Sequence, residues 1–294
     1  MCVPFSCGAR PRALTPRRAE RVSGFPRSLA GVLLILGLAL LTACASAPRK
    51  AGPVAFRVMT YNIHHGEGLD GRVDLERIAE LIRAQQADIV ALQEVDRGVQ
   101  RTGRRDFPAE LAALTGLTCV FSNNFAFQGG EYGNAVLTRF PVVRWTNTHL
   151  RMLRPAEQRG VLQLVLEVHG RELLFLNTHI DYRPDDAERL ANVAQFREVL
   201  AQYPGLPAVF AGDFNDTPGS RTHHAMSEHW TDVWASAGAG DGFTIPSQAP
   251  NKRIDYLWIR KDAPLRAVHA WVPTSTASDH LPVVADFTWP RRVD

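Results

Sequence analysis

The sequence predicts an α/β fold in which two β-sheets pack face to face with helices on the outside. Strand-type runs outnumber helical ones, and in each half of the chain strand runs are joined by a helix. The segment 54–294 is also long enough for one large sandwich domain, with no internal repeat to divide it.

The elements follow in order. Residues 56–63 are β-formers ending near Asn62. A helix follows, because Leu75, Ile78, Ala79 and Ile82 share one face and Asp74 precedes them as an N-cap. Residues 88–94 form a short apolar strand that ends in Glu94. Residues 107–115 form a helix between Asp106 and Gly116. The middle is strand-rich, at 117–122, 133–138, 142–149, 161–168 and 172–179, the last two joined by a turn at His169-Gly170-Arg171. Residues 186–202 are helical, with Leu190, Val193, Ala194 and Leu200 expected on the buried face. Strands at 207–212, 254–259 and 283–288 close the domain.

The first residues read as an address. Basic residues end at Arg27, an apolar run extends from Leu29 to Leu41, and Thr42-Ala43-Cys44 follows. The run is shorter than the roughly 20 residues a membrane span needs. Leu41-Thr42-Ala43-Cys44 resembles the bacterial lipobox, which implies a signal peptide over 1–43 and a lipid on Cys44; an uncleaved membrane anchor is the alternative. Residues 44–53 are small and proline-containing and read as a tether, leaving 54–294 as the folded domain. The expected location is the cell envelope, on the periplasmic or outer-membrane face.

Charge argues against one class of partner. Residues 1–43 hold six arginines and one acid, and the rest carries 27 basic against 29 acidic residues, near −2. A protein that neutralises many DNA phosphates carries a basic surplus. Beyond Cys44 there is one cysteine, Cys119, inside an apolar run, where it reads as a small buried hydrophobe.

Polar residues recur where apolar strands end. Asn62, Glu94, Asn177 with His179, Asp213 with Asn215, Asp255, and Asp279 with His280 all follow that rule. A lone Asp at such a place is usually a turn former. Six strand ends sharing the feature, brought to one rim, would crowd carboxylates that need a cation to stay ionised. Oxygen donors suit a hard ion, Mg²⁺ or Mn²⁺. Arg159, just before a strand, fits either a phosphate clamp or a surface ion pair. His64 and His65 fit either a pocket mouth or a solvated loop, and the loop is favoured.

Thr60-Tyr-Asn-Ile63, Gln93-Glu94, Tyr132-Gly-Asn-Ala-Val-Leu-Thr-Arg139, Asn177-Thr-His179, Gly212-Asp-Phe-Asn215, Arg253-Ile-Asp-Tyr256 and Ser278-Asp-His280 together resemble the ordered motifs of the endonuclease/exonuclease/phosphatase superfamily. The resemblance implies a four-layer sandwich of two mixed sheets, like that of DNase I, and a metal-dependent phosphoesterase. It implies Glu94 as the main metal ligand, aided by Asn62 and Asp279. Asp255 would orient His280, Asp213 and Asn215 would position water and bind phosphate, and His179 would bind or protonate a phosphate oxygen. The general base is left open between Asp213 and His280. Tyr132 and Asn134 would face the substrate.

The stretch from Thr60 to Leu75 and Glu157-Gln-Arg-Gly160 are similar to a branch that includes the catalytic-like domain of GPI-anchor lipid-remodelling proteins. With a lipid anchor and a non-basic domain, the expected substrate is a membrane-associated phosphoester such as a phospholipid headgroup. Extracellular nucleic acid is the second enzyme reading and a small soluble phosphate ester the third; a non-catalytic envelope binding protein is the reading from a different class. A monomer is expected.

Overall fold

The computed structural model describes residues 55–289. The signal peptide, Cys44 and the tether lie outside the described residues. In chain order the elements are β1 (Ala55–Asn62), α1 (Leu75–Gln85), β2 (Ile89–Arg97), α2 (Phe107–Thr115), β3 (Thr118–Phe127), β4 (Gly130–Thr138), β5 (Val142–His149), β6 (Gly160–Val168) and β7 (Arg171–His179). They continue with α3 (Ala187–Ala201), β8 (Ala208–Asp213), α4 (Arg221–Met226), β9 (Trp230–Asp232), α5 (Val233–Ala237), β10 (Asp255–Arg260), β11 (Arg266–Trp271) and β12 (Val283–Thr288).

The strands form two six-stranded sheets, ordered β11-β12-β1-β2-β4-β3 and β5-β6-β7-β8-β10-β9. Each is mixed. β1 and β2 run parallel across α1, and β7 and β8 run parallel across α3. A parallel pair needs a crossover, and a helix with one apolar face supplies it while covering the sheet. α1 does so with Leu75, Ile78, Ala79 and Ile82, and Asp74 caps its N-terminus by accepting the Glu76 amide at 3.0 Å.

Side-chain alternation makes the layers. Phe56 and Val58 of β1, Ile89 and Ala91 of β2, and Val209 and Ala211 of β8 meet in one central core between the sheets. Their alternates, Met59, Tyr61, Val90 and Leu92, pack under α1 and α2. Ala208 and Phe210 pack under α3. Central strands are therefore apolar on both faces, which is why they read as continuous hydrophobic runs. Each fully buried large side chain contributes roughly 1.5–3 kcal/mol. The result is the expected four-layer α/β sandwich.

The structure corrects several details. The buried face of α3 is Val193, Phe196 and Val199 with the polar Glu188, Arg189, Asn192 and Gln195; Ala194 is exposed, and Leu190 and Leu200 are only half-buried. Three of the four polar members are tied to neighbouring loops, Gln195 to Arg151, Glu188 to Leu153 and Arg189 to Asp216, so apolar periodicity alone mislocates the face. β3 and β4 are one long hairpin, closed by Gln128 and Gly129 with φ of 45° and 76°. Cys119 is half-buried against the α1–α2 layer, and burial pushes its thiol up to about 12.

Two buried amides set the register of one sheet on the other. Asn177 of β7 donates to the carbonyls of Leu92 and Ala135 at 2.9 and 2.8 Å. Its oxygen accepts from Gln93 at 2.8 Å, and Gln93 also donates to Thr60. Cut off from water, these amides must find partners, and only one alignment of the sheets provides them. That alignment brings the ends of β1, β2, β7, β8 and β10 to a single rim.

Candidate active site

Asp213 ends β8 and sits in register with His179 on one neighbouring strand and Asp255 on the other. The backbone beneath is tight: a Cβ on Gly212 would lie 2.2 Å from the Thr178 carbonyl oxygen, so only glycine lets β7 and β8 close here. Asp213 Oδ2 accepts from Asn62 at 3.0 Å and faces His179 Nε2 at 3.6 Å and His280 Nε2 at 3.8 Å. Asp213 Oδ1 accepts the Asn215 amide at 2.9 Å.

His280 reaches the rim from the loop before β12. Ser278 anchors that loop, donating to the Asn62 carbonyl at 2.8 Å and accepting the His280 amide at 3.1 Å. Asp255 Oδ2 pairs with His280 Nδ1 at 2.9 Å, both groups buried. The Asp255–His280 pairing expected from the sequence is thus present as a hydrogen-bonded pair.

Glu94 is aimed into the cleft by an irregularity. The β2–β4 register shifts between Leu92 and Val95, and Glu94 has φ of 60°. A bulge turns a side chain out of the pleat, and a left-handed non-glycine residue is held only where its surroundings fix it. Asn62 Nδ2 donates to Glu94 at 3.1 Å while its oxygen accepts the His64 amide at 3.0 Å. Asn62 thus bridges the Glu94 and Asp213 carboxylates through its NH₂. The His64 N–H fixes which way the amide points and still leaves its oxygen one lone pair.

The electrostatics follow from burial and pairing. Burial opposes charge on His280, but the Asp255 charge and hydrogen bond, with Asp213, push it up to about 10. Burial, then repulsion from Asp255, pushes Asp213 up to about 7. Burial and the nearby Arg159 push His179 well below its usual range. Burial would raise Glu94, yet His65, His179 and Asn62 together hold it well below the ordinary carboxylate range.

Glu94, His179, Asp213, Asn215 and His280 line one cleft of about 210 Å³. Arg159 and Tyr132 line it too, as expected; Arg159 is buried, paired with Glu157 at 2.9 Å, so it is no surface ion pair. Asn134 is placed elsewhere, buried below the floor and donating to the Gly160 carbonyl at 3.4 Å. Asp279 is half-exposed beside His64, 3.9 Å away, rather than lining the cleft. His65 is not a solvated loop residue, since its side chain is 13% exposed. Arg253 of the Arg-Ile-Asp motif is structural, forked onto Asp232 at 3.2 and 2.8 Å.

Several cleft residues were not singled out from sequence: Arg101, Phe125, Phe127 and Tyr182. Arg101 is held by the buried Asp96 through two bonds of 2.9 Å and lies 4.9 Å from the Phe127 ring centre. For Phe125 and Phe127 the signal was the alternation of aromatics just before Gly129-Gly130, a hairpin-turn dipeptide; no local pattern marks Arg101 or Tyr182. A larger hollow of about 500 Å³ lies at the opposite ends of these strands. Its charges are spent on one another, Arg57 on Asp286 and Arg139 on Asp88, so it offers no reactive group.

The donor set fits a divalent cation. Asp213, Asp255 and His280 present ligand atoms within 4.8 Å of one another, though the Asp255–His280 hydrogen bond already occupies that pair. Glu94 adds a charged carboxylate, and His65 Nδ1, His179 Nδ1 and Asp255 Oδ1 are buried with no hydrogen-bond partner among the described residues. Buried carboxylates beside orphaned ligand atoms are what an ion would satisfy.

A two-sheet sandwich with this rim defines a hydrolase of phosphoesters. The chain belongs to the Endonuclease/Exonuclease/phosphatase family, whose profile matches residues 59–280. It is 30% identical over 254 residues to the uncharacterized protein YbhP of Escherichia coli (strain K12), covering 81% of this chain and 98% of that one. It is also 30% identical over 196 residues to a 5'-tyrosyl-DNA phosphodiesterase of Caenorhabditis elegans, covering 62% of this chain and 48% of that longer protein. Among solved structures, an endonuclease/exonuclease/phosphatase from Beutenbergia cavernae superposes with a TM-score of 0.63 at 26% identity, over 80% of this chain and 72% of that one.

Proposed function

We propose that the protein is a divalent-cation-dependent phosphoester hydrolase that acts on a membrane-associated phosphoester, a phospholipid or related headgroup. One observation carries the hydrolytic part: Asp213 stands between His179 and His280 with Asp255 behind, at the rim where Glu94 enters. The membrane part is supported by the lipobox-like Leu41–Cys44, by the non-basic charge of the domain and by the stretch similar to lipid-remodelling proteins.

In this reading Asp213 is the general base. Its carboxylate faces the cleft, and a value near 7 is suited to taking a proton from water and releasing it again. His280, kept protonated by Asp255, donates to a phosphate oxygen as charge develops there. His179 is neutral and binds a second oxygen through Nε2. Arg159 holds the phosphate from the cleft wall, and Asn215 fixes Asp213 through its backbone amide. A Mg²⁺ or Mn²⁺ ion, held by Glu94, would polarise the ester and offset its charge.

A second reading is favoured by the aromatic lining. Phe125, Phe127, Tyr132 and Tyr182 offer flat faces to an unstacked base, and one relative bears the name of a DNA phosphodiesterase. A panel of phospholipid vesicles, single-stranded DNA and duplex DNA, each with Mg²⁺ or Mn²⁺, separates the two. Faster turnover of the lipid supports the membrane substrate; faster cleavage of DNA replaces it.

A further inference from the structure

The two histidines after β1 have no part in the mechanism above, yet they are held with unusual care. His64 and His65 both take left-handed backbone angles, φ 45° and 42°, in a short 3₁₀ turn. Such a pair is costly for non-glycine residues and persists only where the surroundings fix it. The His65 ring is directed between two carboxylates. Nδ1 lies 3.9 Å from Glu94 Oε2, and Nε2 lies 3.6 Å from Glu67 Oε2. Both gaps are too wide for hydrogen bonds. His65 Nδ1 is buried and has no hydrogen-bond partner among the described residues.

An imidazole nitrogen that makes no hydrogen bond among the described residues, facing an ionised carboxylate across 3.9 Å, has the spacing of two ligands on one ion. Ligand atoms each about 2.0–2.2 Å from a shared cation lie roughly 3–4 Å apart. We propose that His65 Nδ1 is a direct ligand of the divalent cation held by Glu94, and that this nitrogen selects Mn²⁺ over Mg²⁺. Mg²⁺ binds oxygen almost to the exclusion of nitrogen, whereas imidazole suits transition ions. Glu67, 3.6 Å from the far ring nitrogen, is the positioning residue: with an ion on Nδ1 the ring proton sits on Nε2 and faces the Glu67 carboxylate. The inference rests on the reading of Glu94 as a metal ligand and adds to it the identity of the ion.

The test uses the detergent-solubilised full chain, stripped with EDTA and titrated with Mn²⁺ or Mg²⁺ alone. Pulsed electron paramagnetic resonance of bound Mn²⁺ reads coupling to a directly ligated ¹⁴N. The variants are His65→Asn, which tolerates the left-handed backbone and offers oxygen instead of nitrogen, His179→Asn and Glu94→Gln. The expected result is a ¹⁴N coupling in the native protein that His179→Asn keeps and His65→Asn removes. With it, the ratio of Mg²⁺ to Mn²⁺ dissociation constants falls about tenfold or more in His65→Asn. A coupling unchanged in His65→Asn, or absent from the native protein while Glu94→Gln removes Mn²⁺ binding, overturns the inference and leaves the phosphoesterase reading standing. Mn²⁺ binding unaffected by Glu94→Gln overturns both.

Discussion

Replacing Asp255 by asparagine keeps the side chain's shape and removes its charge. The buried His280 imidazolium then loses its partner at 2.9 Å. In the native protein burial opposes that charge, and Asp255 more than compensates, raising His280 to about 10. Without the carboxylate burial prevails, and His280 falls to or below its ordinary value near 6.5. A fall of that size corresponds to about 5 kcal/mol of lost pairing as an order of magnitude. The sign follows from linkage. A raised histidine stabilises the fold fully below the unfolded value near 6.5, and that stabilisation is lost as pH rises through about 10. Asp213, raised to about 7, stabilises the fold fully below the unfolded carboxylate range and loses that contribution as pH rises through about 7; above it, only His280 titrates of the two. The stability gap between native protein and Asp255→Asn should therefore shrink between pH 7 and 10, by about 1.4 kcal/mol per pH unit. Urea unfolding in EDTA at pH 7, 8 and 9 measures it, and histidine proton NMR reads the His280 midpoint directly. A gap that stays constant or widens with pH would refute the reasoning. Phosphoesterase turnover of the variant at pH 7 should fall roughly 10²–10⁴-fold.

Other perturbations have equally definite outcomes. Arg159→Ala removes a buried guanidinium from the cleft wall and should lower kcat/KM about 10–100-fold, since charge-assisted bonds contribute about 1.5–3 kcal/mol; unchanged steady-state kinetics would take Arg159 out of phosphate binding. Gly212→Ala drives a methyl against the Thr178 carbonyl, which should cost about 3 kcal/mol in chemical denaturation, whereas a loss under 1 kcal/mol would mean that β7 and β8 can part. Cys44→Ser should move the protein from the membrane fraction to the soluble one and end incorporation of labelled fatty acid; continued membrane retention would point to an uncleaved anchor.

Sequence pattern carried the layers and the rim further than it carried individual contacts. The central strands were legible because both of their faces are apolar, and the helices α1 and α2 because Asp74 and Asp106 cap them. β9, β11 and α5 were not, being three to six residues long with no period of their own. α3 was found but turned, because buried Glu188, Arg189 and Gln195 are satisfied by loops whose positions no local pattern encodes. At the site, Glu94, His179, Asp213, Asp255 and His280 were legible as polar residues closing apolar strands, and they do converge. What a polar group does once it is there was less legible. Gln93 and Asn177 prove to be pins between the sheets. Asn62 turns its NH₂ toward two carboxylates, an orientation set by one backbone N–H from His64. The aromatic wall depends on the length of the β3–β4 hairpin, and hence on the turn at Gln128-Gly129.

The central claim is that these residues form one metal-dependent hydrolytic centre. The detergent-solubilised protein, stripped of metal and assayed on bis-p-nitrophenyl phosphate, tests it most directly. Turnover should appear on adding Mg²⁺ or Mn²⁺, vanish with EDTA, and be absent from Glu94→Ala at any metal concentration. Hydrolysis that persists in both EDTA and Glu94→Ala would contradict the account.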